Sequence, residues 1–82
     1  MKPSLAFEQN REAIKAVIAR YPVRNPRLFG SVVKGTDKEG SDLDILVDAL
    51  PGTTLFHMGG IQFDLEDLLG IAVEVHTPQE IS

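Results

Sequence analysis

The chain has 82 residues, 43% of them hydrophobic, and carries eight Lys and Arg against twelve Asp and Glu, a formal net charge of −4 at pH 7. That length predicts one domain over residues 1–82 with a modest core, and the absence of cysteine excludes a disulfide framework or a thiolate metal site. The acidic balance argues against a nucleic-acid template as partner, because such binding rests on Lys and Arg neutralising phosphates; with no leader-like start and no apolar run near the length of a membrane span, no membrane association and a cytoplasmic location are expected.

Apolar residues Ile14, Val17, Ile18 and Tyr21 fall at helical spacing, predicting a helix from about Ser4, its N-cap, to Tyr21, stopped by Pro22. Residues Val23 to Phe29 then read as a strand interrupted by Pro26. Gly30 permits a backbone bend that a side chain would obstruct. Ser31 follows as the N-cap of a short helix over Val32 to Lys34, with Gly35 as its C-cap. Free N–H groups at the start of that helix would face an anion near Ser31.

A polar loop from Thr36 to Gly40 leads into a second strand, Asp42 to Asp48, in which Leu43, Ile45 and Val47 alternate with Asp42, Asp44 and Leu46. Both carboxylates therefore point away from the core. Two like charges so placed call for a cation between them. Mg2+ fits, since it is usually held by one or two carboxylates together with substrate phosphates. A pair of such ions, about 3.5–4 Å apart, would stabilise the attacking and leaving oxygens of an in-line displacement. The plainer alternative makes Asp42 a turn cap and Asp44 a solvated side chain.

Leu50-Pro51-Gly52 marks a turn before a second long helix, Thr54 to Leu69, with a stripe of Leu55, Met58, Ile61, Gln62, Leu65, Leu68 and Leu69 and Gly70 as C-cap. Gly59 and Gly60 each cost about 1 kcal/mol inside a helix, so they are expected to permit close packing or a bend. Asp64, Glu66 and Asp67 are expected on its outer side. The third strand, Ile71 to Thr77, turns Val73 and Val75 inward and Glu74 and His76 outward, and ends at Pro78. His57 and His76 have no second ligand at metal spacing and read as structural or surface histidines.

Residues 28–47, with Gly30-Ser31 followed by Lys34-Gly35 and Ser41-Asp42-Leu43-Asp44, resemble the signature of the nucleotidyltransferase superfamily that shares the DNA polymerase β palm. The short chain is similar to its minimal branch, the MNT-domain antitoxins paired with HEPN toxins. The resemblance implies that Gly30 and Ser31 hold the β- and γ-phosphates of a nucleoside triphosphate and that Asp42 and Asp44 bind the divalent ions. Gly35 and Ser41 join the nucleotide site as parts of the same motif. Lys34 stands where the family often has Arg; it either approaches the triphosphate or is a solvated helix-end lysine, and it lacks the bidentate fork of Arg. A third acid is implied on a later strand, which here is Glu74 in place of the usual Asp, one methylene longer; otherwise Glu74 is an edge-strand residue without a role.

The order of elements and the resemblance together predict a two-layer α/β fold of the polymerase-β-palm type: a small mixed sheet of about three strands with both long helices on one face and Asp42, Asp44 and Glu74 on the other. The implied activity is Mg2+-dependent transfer of AMP from ATP to a tyrosine hydroxyl of a cognate HEPN ribonuclease toxin, this chain being the antitoxin in a hetero-oligomer. Two alternatives stay open. One is a non-catalytic module that neutralises the toxin by covering it, and the other is adenylylation of a small molecule of the aminoglycoside type.

Overall fold

A computed structural model describes residues 1–78. In chain order the elements are α1 (Pro3–Gln9), α2 (Arg11–Ile18), β1 (Val23–Phe29), α3 (Ser31–Lys34), β2 (Leu43–Ala49), α4 (Leu55–Leu69) and β3 (Val73–His76). The three strands form one sheet in the order β1-β2-β3, with β1 antiparallel to β2 and β2 parallel to β3. The predicted mixed sheet is thus present.

The single first helix expected over residues 4–21 is two helices. Asn10 breaks it: its backbone leaves the helical region (φ −125°, ψ 20°), its side-chain amide donates to the Ala6 carbonyl at 2.9 Å, and its own carbonyl accepts the Ile14 N–H at 2.9 Å. Asparagine suits such a junction because its short amide competes with the helical ladder for backbone partners. Nor is Ser4 the N-cap. Lys2 holds that position with Pro3 just inside, and the Ser4 N–H is satisfied from a distance by Asp37 Oδ2 at 3.0 Å. That bond holds the Asp37 carboxyl below the usual carboxylate range.

The core lies on one sheet face. Leu43, Ile45 and Val47 of β2, with Val73 and Val75 of β3, pack against Ile14 and Ile18 of α2 and Ile61 and Leu65 of α4. Alternation along β2 and β3 therefore sends Asp44, Leu46, Glu74 and His76 to the opposite face, which neither long helix covers. Strand β1 carries a bulge between Arg24 and Arg27, where Pro26 cannot donate to the ladder and Asn25 adopts φ +57°.

Helix α4 begins as expected: the Thr54 side chain accepts from the His57 N–H while His57 Nδ1 accepts from the Thr54 N–H at 3.1 Å, a reciprocal cap that gives His57 its structural role. Gly70 closes it in the left-handed conformation at φ +70°. The expected buried stripe is shorter than the pattern suggested: Leu55 at one end is 86% exposed and Leu68 near the other is 38% exposed, leaving Ile61 and Leu65 buried. The outer acids are also less idle than expected. Asp64 accepts the Tyr21 hydroxyl at 2.5 Å, which raises the Tyr21 pKa, and Glu66 Oε2 accepts the Val73 N–H at 3.0 Å, tying α4 to the start of β3. Gly60 permits the approach of Tyr21, whose hydroxyl would lie 2.9 Å from an added Cβ, whereas nothing lies within 4 Å of one at Gly59. Among the described residues no helix is long and apolar enough to cross a membrane.

Candidate active site

The turn at Gly30 and the acid on β2 are built against each other. Phe29 pairs with Asp44 across the antiparallel ladder, so the chain leaves β1 directly beside that carboxylate. Gly30 has φ +80°, and a Cβ there would stand 2.6 Å from Asp44 Oδ2. Only glycine meets both conditions, the positive φ and the close approach. Ser31 is the first residue of α3 and not its N-cap; Gly30 holds the cap position, and the Ser31 carbonyl accepts the Thr36 N–H at 2.9 Å. Gly35 ends α3 at φ +72° as expected, with Lys34 exposed in its last turn.

The parallel pairing of β2 and β3 puts Asp44 opposite Glu74 and Leu46 opposite His76. Because each strand turns alternate residues to the same face, Asp44, Glu74 and His76 converge, with one ligand atom from each within 4.8 Å of the others. His76 Nε2 is 3.7 Å from Asp44 Oδ1 and 3.5 Å from Glu74 Oε2. The ring of Phe29 meets the His76 ring edge-on at 5.7 Å, so residues from all three strands fix the cluster.

Asp42 stands just ahead of β2 rather than within it, and it is exposed. It acts on Asp44 through its charge. Ser41 closes the loop before it: its hydroxyl oxygen accepts the Lys38 N–H at 2.9 Å, and its own N–H returns to the Lys38 carbonyl. This serine therefore shapes the entry to the acid pair.

Electrostatics distinguish Asp44 from its neighbours. Partial burial raises its pKa most, the Glu74 charge and a hydrogen bond shared with Glu74 raise it further, His76 opposes the rise, and Asp42 adds a smaller upward push. A carboxylate so placed is short of positive charge. Two carboxylates and an imidazole at these separations form a donor set that a divalent cation fits, and such an ion would remove the repulsion between Asp44 and Glu74.

Of the residues expected at the site, the structure brings Gly30, Asp44 and Glu74 together, leaves Asp42 at the rim, and puts Ser31, Lys34, Gly35 and Ser41 in the turns that flank them. His76, read from the sequence as a structural or surface histidine, lies with Asp44 and Glu74; its alternation with Glu74 puts both on one face, and the register of β3 on β2 adds Asp44.

Residues 10–82 match the family model described as a nucleotidyltransferase domain. The chain is 41% identical over 61 residues to the protein adenylyltransferase MntA of Thermococcus cleftensis, an alignment covering 74% of this chain and 62% of that one. It is 32% identical over 71 residues to a Methanocaldococcus jannaschii protein provisionally named a protein adenylyltransferase, covering 87% of this chain and 76% of the relative. A solved structure described provisionally as a minimal nucleotidyltransferase superposes with a TM-score of 0.83 at 34% identity, over 96% of this chain and 81% of that one. With the glycine turn, the strand-borne acids and these matches in agreement, the chain belongs to the nucleotidyltransferase domain family.

Proposed function

We propose that residues 1–82 act as one catalytic unit, a Mg2+-dependent protein adenylyltransferase that moves AMP from ATP to a tyrosine hydroxyl of a HEPN-family ribonuclease toxin and thereby serves as its antitoxin in the cytoplasm. The observation that carries this reading is the close approach of Gly30 to Asp44, which sets the glycine turn against the acid of a cation-fitting cluster. The relatives named protein adenylyltransferases point to a protein acceptor.

In this account Gly30 and Ser31 receive the β- and γ-phosphates, and Lys34 and Gly35 complete the turn that holds them. Asp42 and Asp44 provide oxygen ligands for the cations, with Glu74 as the third acid. When bound, Mg2+ neutralises charge on the triphosphate and lowers the cost of the attacking alkoxide. The hydroxyl oxygen forms a bond to the α-phosphorus, the bond from that phosphorus to the bridging oxygen breaks, and pyrophosphate leaves with its electron pair. Glu74, whose side chain is about half exposed, is a cation ligand beside Asp44 and also aligns the incoming hydroxyl and accepts its proton. Most of the rate comes from positioning and charge neutralisation.

Incubation of the chain with ATP, Mg2+ and a HEPN-family toxin tests this by intact-mass measurement. The toxin should gain the mass of AMP, and Asp44→Asn should remove both that adduct and the protection of cells. Glu74→Gln should slow transfer more than it weakens ATP binding, because aligning the nucleophile acts mainly in the transition state. Full protection by Asp44→Asn with no adduct at any time would replace catalysis with neutralisation by covering.

A further inference from the structure

We infer that His76 is itself a cation ligand, and that with Asp44 and Glu74 it forms a mixed oxygen and nitrogen site that prefers a first-row transition ion such as Mn2+ or Co2+ to Mg2+. The inference rests on the reading of Asp44 and Glu74 as cation ligands and deepens it by assigning the chemical class of one of the two ions.

Geometry supports the assignment. Ligand atoms bound at about 2.1 Å to one ion lie no more than about 4.2 Å apart, twice that bond length. His76 Nε2 stands 3.7 Å from Asp44 Oδ1 and 3.5 Å from Glu74 Oε2, inside that span. Both separations exceed a good N–H···O hydrogen bond, while the two carboxylates lie close enough to share one, so a cation there would replace the proton between them. The imidazole is also held in advance. Phe29 meets its ring edge-on, which orients the imidazole, and His76 keeps a quarter of its side-chain surface open.

Donor chemistry sets the preference. Mg2+ takes oxygen ligands in near-ideal octahedral geometry and keeps its waters, so an imidazole contributes little to holding it. Imidazole suits first-row transition ions, and carboxylates accommodate them equally well. A site of two carboxylates and one imidazole should therefore rank Co2+ above Mn2+ and both above Mg2+, following the usual order of stability. Asp42 stands outside this cluster at the rim, where with Asp44 it remains free to provide the oxygen-only site for a Mg2+ that travels with the nucleotide.

The test uses the full chain without nucleotide, and Co2+, Mn2+ and Mg2+ separately as probes. Calorimetry gives the affinities, and the visible absorption of Co2+ reports nitrogen ligation. His76→Gln and His76→Phe, checked for folding by circular dichroism, should weaken Co2+ and Mn2+ binding by about tenfold or more, alter the Co2+ spectrum, and change Mg2+ binding less than about threefold. Unchanged Co2+ affinity and spectrum in both variants would overturn the inference, as would an equal loss for all three ions. Loss of every ion in Asp44→Asn alongside normal binding in the His76 variants would leave the acids as ligands and remove His76 alone. Because no toxin or ATP is present, failure here is separate from failure to transfer AMP.

Discussion

Gly30 and Gly35 flank the same four-residue helix with similar positive φ angles, +80° and +72°, but only Gly30 has a neighbour where a side chain would go. Gly35→Ala should cost about 1 kcal/mol, the backbone penalty alone. Gly30→Ala adds a collision with the Asp44 carboxylate and should cost about 2–4 kcal/mol. Urea unfolding of the two variants measures the difference; equal costs would show that the Asp44 side chain moves aside freely and that the turn does not constrain it. At this scale the turn and the acids were legible because glycine, serine and alternating aspartates have few other reasons to occur in that order. His76 was not, since Asp44 lies 32 residues away and only the strand register brings it within reach.

Among the elements, the second long helix and all three strands follow the sequence pattern to within two residues, because an apolar period and its caps are local signals. The first helix was misread for a local reason as well. Nothing in the apolar spacing marks Asn10, whose amide closes α1 and whose carbonyl opens α2. The adjacent glycines of α4 show how packing separates residues that the sequence treats alike. Gly59→Ala meets nothing within 4 Å and should stabilise the fold by about 0.5–1 kcal/mol through helix propensity. Gly60→Ala brings a methyl group to 2.9 Å from the Tyr21 hydroxyl, which is itself bonded to Asp64, so the propensity gain should be lost or reversed. Melting temperatures of the two variants decide it, and equal increases would mean that Tyr21 yields without cost.

At the scale of the whole molecule, one sheet face holds the core and the other holds the candidate site, and a period of two along β2 and β3 is enough to separate them. The mixed sheet and its one-sided helices were legible because residues 28–47 resemble a known signature and the remaining elements could satisfy their apolar faces in few other ways. The position of Asp42 ahead of β2 was not, because a strand boundary is a weaker signal than the alternation within it. If the Gly30 turn and the strand-borne acids form a single site for a metal-bound nucleotide, ATP binding depends on the metal, which calorimetric titration of ATP with and without Mg2+ measures. Wild-type protein should bind ATP in a metal-dependent manner, and Asp42→Asn combined with Asp44→Asn should abolish the metal dependence while leaving the fold intact by circular dichroism. Metal-dependent binding of unchanged affinity in the double variant would contradict the account.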